Sequence, residues 1–308
     1  MPADSNEFTL IEWIRARAEG HPRVPLGIGD DAASVSFAQP SDCLVASDML
    51  VEGVHFLLPA ATPSEVGRKA LAVNLSDLAA MAARPLAAVV NVALPRSHQL
   101  EFAHELLEGL ANLADEFDTA VAGGDTNIWN GPCVISVALL GEAVGADSVR
   151  RSGARVGDWI LTTGTFGASL AGKHLSFQPR VIEARQLHET VSLHAMIDVS
   201  DGLVADLHHI LKESHVGCLL QAEAVPISNA AQAAADRKTP LEHALGDGED
   251  FELLFTVSPE EGRRLIDSPP FATRLTHIGE ITEGKTCEIE DSAGNRALLA
   301  PTGWRHTF

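Results

Sequence analysis

The chain predicts an α/β protein with α+β character, divided into two domains. Three observations predict it. At 308 residues the chain is long enough for two ordinary cores. Short apolar runs alternate with segments of helical periodicity in both halves. A polar stretch from Gly145 to Gly157, carrying Arg150, Arg151, Ser152 and Gly153, separates two such series. We therefore expect an N-terminal domain over residues 1–148 and a C-terminal domain over 149–308.

The elements follow in order. Phe8, Ile11 and Ile14 recur at helical spacing after Ser5 and Asn6, which suit a helix cap. Strands are expected at Cys43 to Ala46 and Ala87 to Leu94. Between them Ser64 to Ala83 reads as a helix, with Pro63 just before it. A second helix from about Gln99 to Phe117 places Ala103, Leu106, Leu110, Leu113 and Phe117 on one face. Strands at Thr119 to Ala122 and Val134 to Leu140 complete the first unit. The second half restarts with a strand at Asp158 to Thr162, a Gly-rich turn and a helix. It continues with a helix from Leu203 to Lys212 and a strand at Glu252 to Val257.

With 45% hydrophobic and 21% charged residues, the composition is that of a globular chain. Twenty-two basic against 42 acidic residues give a formal charge of −20, which excludes nucleic acid and anionic membranes as expected partners. An anionic substrate should arrive with its metal. The four cysteines, Cys43, Cys133, Cys218 and Cys287, form no Cys-x-x-Cys pair and read as buried thiols. Met1 to Glu19 has no apolar signal core, and Ala70 to Leu94 is broken by Asp77, Arg84 and Pro85. A cytoplasmic protein is expected.

Nine carboxylates fall in short motifs far apart in sequence. Asp30 and Asp31 follow Gly27-Ile28-Gly29, Asp48 lies in Ser47-Asp48-Met49, and Asp77 in Asn74-Leu75-Ser76-Asp77. Asp125 lies in Gly123-Gly124-Asp125-Thr126, Asp198 and Asp201 in Ile197-Asp198-Val199-Ser200-Asp201-Gly202, and Glu249 and Asp250 in Gly248-Glu249-Asp250-Phe251. Oxygen ligands without a Cys or His pattern suit Mg²⁺, which is held by few carboxylates together with substrate phosphates. Each motif also has an ordinary reading. Asp77 falls among Val66, Ala70, Val73 and Met81 on a helical wheel, and pairing with Arg68 or Lys69 would account for it. Gly123-Gly124-Asp125-Thr126 reads as a tight turn or as a loop approaching phosphate. Ser200 or Asp201 suits an N-cap, but a cap leaves Asp198 unexplained, whereas a helix N-terminus facing an anion through a metal accounts for both acids.

Gly167-Ala168-Ser169-Leu170-Ala171-Gly172-Lys173-His174 approaches a P-loop. It has His where the metal-binding hydroxyl belongs and does not leave its strand directly, so it is read as a decoy. His208-His209 reads as a solvated helix face.

Taken together and in order, these strings resemble the thiamine-monophosphate kinases. That family belongs to the ATP-binding superfamily of aminoimidazole ribonucleotide synthetase and selenophosphate synthetase. The most specific pieces are Gly27-Ile28-Gly29-Asp30-Asp31-Ala32, the run Lys69 to Met81, Gly123-Gly124-Asp125-Thr126, Arg151-Ser152-Gly153-Ala154, Ile197 to Leu203 and Gly248 to Leu253. The resemblance implies two α/β domains of the aminoimidazole ribonucleotide synthetase type, the first pairing through its sheet in a homodimer. It implies Mg²⁺ ligands at Asp31, Ser47, Asp48, Asp77, Asp125 and Asp198, with Asp201 on a further ion. Gly124, Asp125, Arg151 and Ser200 would contact ATP, and His55, Glu249 and Trp304 would line the thiamine monophosphate site. Four departures stand out: Ala46 for a usual Ser, Ala82 for a usual Gly, Gly246-Asp247 before Gly248, and a short connector from Ala171 to Pro179.

The implied reaction transfers phosphate from ATP to thiamine monophosphate. A phosphate monoester, with its second pKa near ~6, is already an anionic nucleophile at neutral pH, which fits a site without a candidate general base. The alternatives are another ATP-dependent synthetase of the superfamily and a catalytically silent nucleotide-binding homologue.

Overall fold

The computed structural model describes residues 25–26, 30–31, 33–35, 42–97, 100–145 and 148–304. The helix expected around Phe8, Ile11 and Ile14, and Gly27 to Gly29, lie outside them.

Strands β1 (Ala33–Val35) and β2 (Cys43–Val51) open the first sheet. Helix α1 (Pro63–Ala80) follows, fixed at its start by a capping box. There the Thr62 hydroxyl accepts from the Glu65 N–H at 3.3 Å and the Glu65 carboxylate accepts from the Thr62 N–H at 2.8 Å. The helix stops three residues before the expected Ala83, because Ala82 turns to φ 53° and the Ala83 N–H returns to the Leu78 carbonyl. Then come β3 (Arg84–Pro95), α2 (Leu100–Glu116), β4 (Ala120–Trp129) and β5 (Val134–Glu142). The strand order is β1-β2-β5-β3-β4, antiparallel except for β3 and β4. Gly123-Gly124-Asp125-Thr126 is thus neither turn nor loop: it lies inside β4, the exposed edge strand. Gly124 is required there, since a Cβ would stand 1.7 Å from the Val90 carbonyl oxygen on β3.

The second sheet holds β6 (Trp159–Thr163), β7 (Ala195–Asp198), β8 (Gly217–Gln221), β9 (Leu253–Val257), β10 (Leu275–Thr282), β11 (Cys287–Glu290) and β12 (Arg296–Leu298). Its order is β12-β11-β8-β10-β6-β9-β7. Its helices are α3 (Lys173–Ser176), α4 (Val181–Thr190), α5 (Leu203–Ser214), α6 (Asn229–Ala233), α7 (Pro240–Gly246) and α8 (Pro259–Asp267).

Strand alternation sorts the cores. Ile160, Ile197 and Leu254 face α5 and α7, packing with Leu203, Leu207, Ile210 and Ala244. Their neighbours Leu161, Met196 and Phe255 face the opposite way, into a core continuous with α1, α4 and the first sheet. Helix α1 touches β2, β5, β7, α2, α3 and α4, so it lies between the two sheets and is buried nearly all round. Every side chain it contributes to a seam site is therefore held by packing on both sides.

Candidate active site

Three carboxylates from three elements converge where α1 meets the second sheet. Asp77 comes from the last turn of α1, Asp198 from the end of β7, and Asp31 from the segment before β1. One oxygen of each lies within 4.8 Å of the others. Asp198 is 3% exposed and accepts from the Ser76 hydroxyl at 2.6 Å. Asp48 belongs beside them: it shares the helix-covered face of β2 with the core residues Leu44, Ala46 and Leu50, and its charge is among those that raise the pKa of Asp77. Its backbone N–H donates to the Asn74 side-chain oxygen at 3.1 Å, while the Asn74 amide holds the Ala70 carbonyl at 3.0 Å.

Burial raises the pKa of Asp77 and Asp198 well above the usual carboxylate range, and the neighbouring acids add to it. Asp30 is pushed to about 7 by burial and by Asp31. A cluster that opposes its own ionisation is electrostatically incomplete, and a hard divalent cation on these oxygens fits it.

Arg151 supplies part of the balance. Its Nε and a terminal nitrogen donate to the two oxygens of Asp31 at 3.0 and 2.7 Å, and its backbone N–H reaches Asp30 at 3.2 Å. Burial alone would lower the guanidinium pKa, but Asp31 and Asp30 outweigh it and raise it.

The N-terminus of α5 faces the same place. Gly202 is its N-cap, with no side-chain cap, so neither Ser200 nor Asp201 plays that part. Asp206, 3% exposed, reaches back instead and accepts from the Asp201 and Gly202 N–H groups at 3.0 and 3.1 Å. Sequence reasoning missed Asp206; its signal was an acid in the first turn after the Asp-x-Ser-Asp-Gly string, placed to bond back to the helix start. The Ser200 carbonyl accepts from the Glu249 N–H at 2.6 Å. Gly248, at φ 75°, lies so close that a Cβ would come within 2.7 Å of the Ser200 oxygen.

Two turns earlier on α1, Lys69 is fully buried. Its ammonium donates to the His55 carbonyl at 2.8 Å and pairs with Glu249. This excludes the ordinary reading of Asp77, since Lys69 is engaged elsewhere and Arg68 bonds Gln178. The His55 Nδ1 accepts from the Val51 N–H at 3.0 Å. Trp304 is 54% exposed, and its backbone N–H donates to the Asp201 carbonyl at 3.0 Å.

Ser47 and Asp125 stand apart from the cluster. Ser47 alternates with Asp48 and lies on the uncovered face of the first sheet. Gly124 aligns with Asp48 through Val90 and Val137, three strand spacings or about 14 Å away, and Asp125 follows it on the exposed edge.

Family models agree with this architecture. Residues 29–143 match the model for AIR synthase related protein, N-terminal domain, and residues 133–292 match its C-terminal domain. The thiamine-monophosphate kinase of Rhodopirellula baltica is 43% identical over 289 residues, covering 91% of this chain and 90% of that protein. The Escherichia coli K12 enzyme of the same name is 35% identical, covering 97% and 98%. The chain belongs to the thiamine-monophosphate kinase family. The solved structure titled "AaThiL complexed with AMPPCP and TMP" superposes with a TM-score of 0.83 at 30% identity, over 98% of this chain and 97% of that one. Escherichia coli HypE, a hydrogenase maturation protein, shares the fold alone, at 18% identity and a TM-score of 0.72.

The residues that set this chain apart from the family pattern have structural places. Ala46 is buried in the first core. Ala82 occupies the left-handed position that favours glycine. Asp247 accepts from the Ala168 N–H at 2.9 Å and from Lys238 at 2.7 Å, fastening the Gly-rich turn after β6. That turn is no phosphate loop: Lys173 is drawn to Glu252 at 3.0 Å, and Asp250 takes the Gly167 N–H at 3.1 Å. His208-His209 is not a solvated face either. Both rings are half-buried, and burial pushes His209 down to about 4.

Proposed function

We propose that this chain transfers the terminal phosphoryl group of ATP to thiamine monophosphate, giving thiamine diphosphate, with magnesium held at the seam by Asp31, Asp77, Asp198 and Asp48. The observation that carries the reading is the convergence of Asp31, Asp77 and Asp198 from three distant segments. Family membership and a relative whose structure title pairs AMPPCP with TMP support the substrates. The assignments of Ser47, Asp125 and Asp201 as ligands, and of Gly124 and Ser200 to ATP, rest on the resemblance alone.

In this reading the Arg151 N–H groups not taken by Asp31 and the N-terminus of α5 bind phosphate oxygens of ATP, the first as part of a fixed, fully charged guanidinium and the second by N–H groups at the positive end of a helix. Glu249 and the open ring of Trp304 receive the cationic thiamine moiety, and His55 lines the same pocket. No side chain removes a proton, because the acceptor phosphate is already ionised. Magnesium held by Asp31, Asp77, Asp198 and Asp48 would supply the positive charge that offsets repulsion between donor and acceptor phosphates.

The N-terminal domain is taken as residues 1–148 and the C-terminal one as 149–308, with the sheets of the two halves lying on either side of α1. A homodimer pairing through the first sheet suits its uncovered face and the exposed Val121, Ile128 and Trp129 on β4. Among the described residues, no helix is long and apolar enough to cross a membrane.

Phosphorus NMR of the protein with ATP, magnesium and thiamine monophosphate tests the reading. New diphosphate resonances should replace the acceptor monophosphate signal. Release of inorganic phosphate at the same rate with and without the acceptor would overturn it.

A further inference from the structure

Lys69 is the largest fully buried side chain of the described residues, and a lysine pays heavily for leaving water unless its charge is matched. It sits on α1, eight residues and about 12 Å along the axis from Asp77. One rod thus carries the acidic cluster at one end and this cation nearer the other. The Lys69 ammonium is shared between the His55 carbonyl, at 2.8 Å, and the Glu249 carboxylate, 180 residues further along the chain. Glu249 is held awkwardly. It has φ 58°, a left-handed conformation costly for a side-chain-bearing residue, and lies between Gly248 at 75° and Phe251 at 50°. Only part of its side chain, 24%, meets solvent. The short run of backbone bonds to Ser200 and Val199 fixes the turn, but the direction of the carboxylate is set by Lys69.

We propose that Lys69 is the positioning residue of the acceptor pocket: it aims Glu249 and fixes the His55 loop, so that α1 sets the distance between bound acceptor and metal cluster. The proposal rests on the reading of Glu249 and His55 as acceptor contacts. Lys69 reaches the substrate through them and touches no phosphate. It contributes from the first half the charge that the Gly248-Glu249 turn of the second half needs. Helix α1 is thereby the part that registers the two halves against each other at the pocket.

Steady-state kinetics of Lys69→Met, Glu249→Gln and the double variant test it. Lys69→Met should raise KM for thiamine monophosphate ~10- to 100-fold, the loss of a charge-assisted hydrogen bond, while KM for ATP moves less than ~3-fold. Where Lys69→Met alone folds poorly, because a half-buried carboxylate is left unmatched, the double variant removes both charges and is compared with Glu249→Gln. The acceptor KM of the double variant should lie well below the product of the two single effects, since Lys69 acts in large part through the Glu249 carboxylate. Additive losses, or equal increases in both KM values, would make Lys69 a general packing residue and overturn the proposal. If Glu249→Gln is impaired while Lys69→Met is not, the proposal alone falls. If Glu249→Gln binds acceptor normally, the acceptor-site reading falls and takes the proposal with it.

Discussion

Removing divalent cations should make this protein less stable as pH rises, and magnesium should restore more stability at high pH than at low. Asp30 illustrates the size. Its pKa in the fold is raised from 3.8 to about 7 by burial and by Asp31. Below the unfolded value both states hold the proton and nothing is lost. Between the two values the folded state keeps a proton that the unfolded state releases, so stability falls as pH rises. Above about 7 the loss is complete. About three units at ~1.4 kcal/mol each give a ceiling near 4 kcal/mol, and Asp77 and Asp198 extend the same trend upward. Other groups confuse the raw profile. The lowered pKa values of His174, His209 and His277 add stability as pH rises towards 6.5, whereas the raised pKa of His243 contributes stability that is lost as pH rises above 6.5. The difference between magnesium and chelator at each pH isolates the cluster. Thermal melting at about pH 5.5, 7 and 8.5 should show a magnesium increment that grows by several degrees, at roughly 2 °C per kcal/mol for a chain of this size. An increment that is flat or shrinks with pH would refute the assignment of the cation to these carboxylates.

Asp77→Asn and Asp198→Asn should each abolish turnover while circular dichroism and melting stay near those of the parent; magnesium-dependent activity within a few-fold of the parent in either would remove that residue from the ligand set. Arg151→Lys keeps the charge but loses one arm of the fork to Asp31, so KM for ATP should rise or kcat fall by about ten-fold; unchanged constants would leave Arg151 as a linker residue. Trp304→Ala should weaken thiamine monophosphate by roughly 0.5–2 kcal/mol in calorimetry and spare ATP; equal weakening of both, or unfolding, would return Trp304 to a packing role.

Most of the acidic site was legible because its residues sit in strings whose spacing is local. Asp198 and Asp201 precede a helix, and Asp77 interrupts an apolar helical face. Convergence was the part no local pattern carries: that Asp31 meets Asp198 depends on how α1 lies between two sheets. A helical wheel offers Lys69 as an edge partner for Asp77, because it shows neighbours on one helix and not Glu249 from the other half. Asp206 was hidden by the stronger motif beside it. Gly123-Gly124-Asp125-Thr126 carries the local signature of a turn or loop because paired glycines favour turns, whereas in the fold it is strand and Gly124 serves close approach to β3. The late strands β8, β10, β11 and β12 were not anticipated, since their pairing is long-range and their sequences alternate weakly.

The most direct test is the rate of ADP release with thiamine monophosphate, thiamine or water as acceptor, each with magnesium and with chelator. The account predicts release that needs both thiamine monophosphate and magnesium, with thiamine inert because its hydroxyl would require a base. Efficient turnover of thiamine, or ADP release indifferent to acceptor or metal, would contradict it.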